Sequence, residues 1–164
     1  MVILAVDSGL EKTGFAVFKK TANGRSNFKY IISGLIQTSK KNTIQKRLGE
    51  IYASLQKLAK THRPDILVLE QLFFFKNQKT AIWVSQAQGI ALLVASQKNI
   101  RVDFLTPLQV KLAVTGYGKA DKKSVQKMLA ISLKLKEELK QDDQADAIAC
   151  GLAYCYLNRE LTKE

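Results

Sequence analysis

The sequence predicts a three-layer α/β domain with a mixed sheet between helices, and three observations lead there. Val2 to Val6 is an apolar run with no polar face, ended by Asp7. Ile66 to Leu69 repeats the pattern and is ended by Glu70. Such runs suit strands buried on both faces, with helices above and below. The third observation is order, since strands come first and then alternate with segments of helical periodicity.

After the first strand, Ser8, Gly9 and a short polar stretch form a tight turn, and the returning strand runs from about Gly14 to Lys20. Gly9 and Gly14 permit a sharp turn or a close approach with no Cβ in the way. Thr21 to Gly24 reads as a hairpin turn, followed by a third strand through Tyr30 to Ile36. Asn42 or Thr43 then caps a helix in which Ile44, Leu48, Ile51, Tyr52, Leu55 and Leu58 recur at helical spacing up to about Lys60. Pro64 stops it, and His62 reads as a helix C-terminal residue rather than a catalyst.

Beyond the strand at 66–69, Gln71 to Gln78 is a loop rich in aromatic and basic residues. A helix from about Thr80 to Gln97 carries Ile82, Val84, Ala87, Ile90, Ala91 and Val94, with Gly89, Ala91 and Ala95 allowing close packing. Arg101 to Leu105 is a short strand, after which Thr106 caps and Pro107 opens a short helix to Val114. A Gly- and Lys-rich loop, Gly116 to Lys123, leads into a helix from about Asp121 to Leu133. A charged stretch, Lys134 to Lys140, precedes Gln141 to Asp146 and a last helix with Ala147, Ile148, Ala149, Leu152 and Ala153. With no internal repeat and no long linker, residues 1–164 are expected to form a single domain.

The 26 Lys and Arg residues outnumber 14 Asp and Glu, a formal charge of +12. An excess this large in a small domain points to a polyanionic partner, nucleic acid first and an anionic membrane surface second. No stretch reaches the ~18 apolar residues of a membrane span, and no secretory signal is visible at the N-terminus. Cys150 and Cys155 have no metal-ligating company and are expected to be buried thiols in a reducing cytoplasm.

A carboxylate ending a buried strand costs free energy unless something positive meets it. If the strands before Asp7 and Glu70 are parallel neighbours, the two carboxylates stand side by side. Asp143 and Asp146, three apart, share one face of the final helix. Four converging carboxylates would repel one another, and divalent cations relieve that. Mg²⁺ and Mn²⁺ take oxygen ligands, and two such ions roughly 4 Å apart activate water and stabilise a leaving oxygen in phosphodiester hydrolysis. The absence of His and Cys from the set argues against zinc. A plainer reading of Asp143 and Asp146 stands beside this one, because both are common N-cap or first-turn residues.

These residues resemble the RuvC family of crossover (Holliday) junction endonucleases. The resemblance covers nearly the whole chain: Asp7-Ser8-Gly9 with Thr13-Gly14, Glu70-Gln71 with Phe73 and Lys76-Asn77, Gln86 to Gly89, Gln109 to Lys111, Gly116 to Gly118 with Ala120 and Lys122, Val125-Gln126 with Met128, and Asp143 to Ala147. It implies a ribonuclease-H-like fold and a homodimer that nicks two opposed strands of a four-way DNA junction during recombination and repair, leaving 5′-phosphate and 3′-hydroxyl ends. It further implies Mg²⁺ or Mn²⁺ as cofactor, two ions in each active site, held by Asp7, Glu70, Asp143 and Asp146. Phe73 matches a residue that stacks on an unpaired base, and Lys111 and Lys122 match basic residues implicated in DNA contact and catalysis. Lys76, Lys119 and Lys123 join them as expected DNA contacts. Lys122-Lys123 leaves a one-residue ambiguity: spacing from Gly118 and to Val125 favours Lys122 but does not decide between them. At least one of Phe73, Phe74 and Phe75 is expected in the core or a dimer contact. Ser8 stands where the family usually has Pro. A branch-migration complex of the RuvA–RuvB kind is the further partner that the family implies, with a cytoplasmic location.

Three other readings compete. A sugar-kinase or actin-like ATPase also uses Asp-x-Gly-x-x-x-Thr-Gly on a hairpin, but needs two such domains. A ribonuclease-H-fold nuclease acting on another nucleic acid shares the carboxylates. A non-catalytic junction-binding protein would be favoured by loss of a carboxylate, and none is lost.

Overall fold

The computed structural model describes residues 1–21, 28–72, 78–135, 139 and 141–158, with the backbone alone at 78–80. Five strands form one sheet: β1 (Val2–Asp7), β2 (Lys12–Lys20), β3 (Phe28–Gln37), β4 (Ile66–Glu70) and β5 (Arg101–Leu105). Their order is β3-β2-β1-β4-β5. β1 is antiparallel to β2 and parallel to β4, so the sheet is mixed and β1 lies at its centre. The helices are α1 (Ile44–His62), α2 (Gln78–Gln97), α3 (Pro107–Thr115), α4 (Lys122–Leu133) and α5 (Asp142–Leu157).

The period-two alternation of a strand divides each apolar run between two cores. Ile3 and Ala5 of β1, Ala16 and Phe18 of β2, and Ile66 and Val68 of β4 pack with α5, α3 and α4. Leu4 and Val6, Val17, and Leu67 and Leu69 pack on the opposite face with α1 and α2. This is the physical reason why residues 2–6 and 66–69 carry no polar side: both faces of the sheet are covered. Nearly all of α5 from Ala145 to Cys155 is buried, Cys150 and Cys155 included. Its closeness to the sheet depends on two glycines. A Cβ at Gly151 would strike the Phe18 ring, and one at Gly14 would collide with the Asp143 carbonyl oxygen.

Helix ends follow local chemistry. Thr43 caps α1 by accepting from the Lys46 amide. Arg63, left-handed at φ 46°, ends that helix one residue before Pro64, and His62 is its last residue. Thr106 and Gln109 form a reciprocal capping box on α3 with Pro107 at its start. Asp121 caps α4 by accepting from the Ser124 amide.

Three expectations need correction. α2 starts at Gln78 rather than about Thr80. Ile82, read as part of its apolar face, is 54% exposed, and Gly89, read as a close-packing residue, faces open space. The α2 surface that meets the core is the narrower stripe of Ala87, Ala91, Val94 and Ala95, with Ile90 packed against it. Of Asp143 and Asp146, read alternatively as N-cap or first-turn residues, Asp143 does lie in the first turn of α5, whereas Asp146 lies beyond it and Gln141 holds the cap position without a side-chain cap bond. The expected turn at 21–24 and the stretch at 134–140 lie largely outside the described residues.

Candidate active site

The register of β1 and β4 pairs Val6 with Leu69, so Asp7 and Glu70 end neighbouring parallel strands at the same edge of the sheet. Parity decides which face they serve. Asp7 continues the Ile3–Ala5 side, and Glu70 continues the Ile66–Val68 side, so both belong to the face covered by α5. The tight fit at Gly14 brings the first turn of α5 directly over the Asp7–Gly14 pair. Two polar tethers hold that turn. Lys12 Nζ donates to Gln141 Oε1 at 3.0 Å, and Gln144 Nε2 donates to Ser33 Oγ at 2.7 Å. Gln88 Nε2 donates to the Glu70 carbonyl oxygen at 3.0 Å and fixes the end of β4.

The electrostatics record the convergence. Burial, then the charges of Asp146, Glu70 and Asp143, pushes Asp7 up to about 7, only partly opposed by Lys122. Burial and then Asp146 raise Glu70, with Lys111 and Lys122 pulling the other way. Asp146 is raised too, because burial outweighs its ion pair with Lys122. That lysine lies 3.4 Å from Asp142 Oδ2 and 3.6 Å from Asp146 Oδ2. Burial lowers its affinity for a proton, but the two carboxylates more than compensate and leave it raised.

A cleft of about 160 Å³ is lined by Glu70, Asp146, Lys111, Lys122 and Gln126, with Pro107 and Val110 among its apolar walls. Lys122 rather than Lys123 faces the carboxylates, and Lys119 and Lys123 are exposed outside that cleft. Phe73 and Lys76 lie outside the described residues. Sequence reading passed over Asp142 as part of the lead-in to α5. It accepts from Lys122 and from Gln126 Nε2 and so binds α4 to α5 beside the site. The run Gln141-Asp142-Asp143 was visible, but nothing in it tells which acid meets a lysine 20 residues earlier.

The donor set suits a hard divalent cation: all-oxygen, desolvated, and mutually repelling without added positive charge. Among the described residues no three acidic, histidine or cysteine side chains are gathered into a cage that would hold an ion by themselves. Ser8, next to Asp7, is buried with its hydroxyl unpaired among the described residues.

A stability prediction follows from Asp7. Its folded value near 7 exceeds the ordinary 3.8, so the folded state retains a proton that the unfolded chain releases. The stabilisation is complete below about pH 4 and lost as pH rises through about 7. In EDTA, Asp7→Asn is therefore expected to gain stability relative to the wild type between pH 5 and 8, by a few kcal/mol (about 2–4) at the upper end. Thermal melts across that range measure the gap. A pH-independent difference would count against the buried, repelled carboxylate.

Comparison with known proteins agrees with this site. The family profile described as crossover junction endodeoxyribonuclease RuvC matches residues 3–155. The protein of that name from Petrotoga mobilis is 43% identical over 158 residues, covering 96% of this chain and 94% of the relative. The one from Alkaliphilus metalliredigens is 42% identical over 156 residues, covering 95% and 93%. Among solved structures, Thermus thermophilus RuvC in complex with a Holliday junction substrate superposes with a TM-score of 0.89 at 29% identity, covering 99% of this chain and 97% of that one. With a sheet, a carboxylate edge and a chain-long match in agreement, this chain belongs to the crossover junction endodeoxyribonuclease RuvC family.

Proposed function

We infer that this chain is a crossover junction endodeoxyribonuclease, a hydrolase that resolves four-way DNA junctions. The observation that carries this reading is the register Val6–Leu69, which sets Asp7 and Glu70 side by side beneath the acidic first turns of α5 in a chain of this family. Asp7, Glu70, Asp143 and Asp146 are the carboxylates assigned to hold the divalent ions, Mg²⁺ or Mn²⁺ and two in each site. When bound, such ions supply an activated water and stabilisation of the leaving oxygen.

The protein's own groups have separable tasks. Asp7, desolvated and surrounded by like charge, gains most from a cation and anchors the site. Lys122 and Lys111, which both line the cleft, offset the charge of a phosphate entering it. Lys119 and Lys123 are assigned to the phosphate backbone outside the cleft, and Phe73 and Lys76 to the junction centre. Homodimerisation is supported by α2, whose outer face presents Ile82 and Leu93, 54% and 46% exposed, flanking open Gly89. A branch-migration partner rests on family membership alone.

The test is a nicking assay on a synthetic four-way junction and a matched linear duplex, with Mg²⁺, Mn²⁺ or EDTA. Paired, symmetric, metal-dependent nicks on the junction alone are expected. Cleavage of the linear duplex or of an RNA–DNA hybrid instead would change the substrate assignment, and binding without cleavage would make the chain a junction-binding protein. Because phosphate contacts release counterions, junction binding in EDTA should weaken about a thousandfold between ~50 and ~200 mM salt. A flat response by fluorescence anisotropy would contradict a phosphate-dominated surface.

A further inference from the structure

The turn between β1 and β2 straddles the edge of the sheet. Asp7 lies on the α5 face, whereas Leu10, three residues on, packs into the core on the α1–α2 face. On that second face a groove of about 780 Å³ opens between the turn, the start of α1 and the first half of α2. Its apolar floor includes Leu10, Ile44 and Trp83, with Ile44 and Trp83 each 37% exposed. Three cations, Lys12, Lys40 and Arg47, line it against one acid, Glu11.

The cations keep donors available. Lys40 pairs with Glu11 at 2.9 Å, but its side chain is 74% exposed. Arg47 spends Nε on the Thr38 hydroxyl at 2.8 Å, a bond that sets the guanidinium plane and uses none of its terminal amines. Lys12, by contrast, shares the α5-facing parity of Ala16 and Phe18, and its Nζ is held on that side by Gln141.

We propose that this groove binds an unpaired strand of the DNA substrate, with a nucleobase stacked on Trp83 and its phosphates facing Lys40 and Arg47. The proposal rests on the reading of the chain as a DNA nuclease and adds to it a second contact region on the far side of the sheet edge. A partly exposed indole on an apolar floor, ringed by cations, is the combination that single strands use, because every base has a π-face. An unpaired strand has base faces free to stack, whereas those of a duplex are already stacked on one another. Continuity favours the same occupant: a strand whose phosphate sits at Asp7 needs only to pass over the Gly9–Lys12 turn to reach the groove.

Trp83 is the only tryptophan in the chain, so emission excited at 295 nm reports this groove alone. The protein in EDTA would be titrated with a four-way junction, a short oligo-dT and a linear duplex, while anisotropy of labelled DNA reads binding separately. Oligo-dT and junction are expected to quench the emission by about half, and duplex far less. Trp83→Ala should weaken oligo-dT binding about tenfold, and Trp83→Phe should recover most of it. Tight junction binding with unchanged emission would overturn the groove assignment while leaving the nuclease reading intact. Loss of all DNA binding in the wild type would overturn the nuclease reading itself. Emission that changes with protein concentration and ignores DNA would assign the groove to a second copy of the chain and likewise overturn the proposal.

Discussion

Asp7→Asn is expected to reduce nicking of a four-way junction by about a thousandfold or more, on the order of 4 kcal/mol of lost transition-state stabilisation, while junction affinity stays the same or rises slightly. The amide keeps the shape of the carboxylate, so β1 and its pairing with Gly14 need not change. What disappears is the charge at the centre of the cluster, where burial and three neighbouring acids already make Asp7 the most strained of the set. Binding depends on another part of the surface: Lys111, Lys119, Lys122 and Lys123 are untouched, and removing a negative charge from a protein of +12 net charge cannot repel DNA. Nicking in Mg²⁺ or Mn²⁺ and anisotropy in EDTA read the two separately. Parallel loss of both, with a native melting profile, would sink the division between cleaving carboxylates and binding lysines.

Gly14→Ala is expected to destabilise the fold by about 3 kcal/mol and to cost most of the nicking activity. Its new Cβ meets the Asp143 carbonyl oxygen and lies 3.1 Å from the Gln144 amide nitrogen. Both are helix backbone, which cannot step aside as a side-chain tip does, so α5 must shift as a body. That shift moves Asp143 and Asp146 away from Asp7 and Glu70, linking the stability loss to the activity loss. Gly49→Ala is the control, since nothing lies within 4 Å of a Cβ there and the position is inside α1. It should gain about 0.5–1 kcal/mol from helix propensity alone. A Gly14→Ala protein with wild-type melting and nicking would show that the close approach of α5 to β2 is dispensable.

Much of the site was legible before any coordinates. Asp7 and Glu70 stand out because a carboxylate closing an all-apolar strand is costly and therefore calls for a partner. Asp143 and Asp146 stand out less, since the plainer reading as helix-start residues fits the same letters. Thr43, Thr106 and Asp121 were readable as caps because capping is decided within four residues. The misread positions belong to α2. Its composition is small and apolar nearly all round, so periodicity alone assigned Ile82 and Gly89 inward, whereas the stripe that meets the core is Ala87, Ala91, Val94 and Ala95, with Ile90 packed against its edge.

By itself, then, the sequence determined the two central strands, the carboxylates that end them, the helix caps and the basic surplus, because each depends on near neighbours or on composition. Only the tertiary structure decided that β1 and β4 pair Val6 with Leu69, that Lys122 rather than Lys123 faces Asp146, that Asp142 joins α4 to α5, and that Trp83 lines a groove beside Lys12. Those facts join residues 20 to 71 positions apart. Such pairings are set by how the sheet and helices pack, through close approaches such as Gly14 against α5, and no local pattern in the chain encodes them.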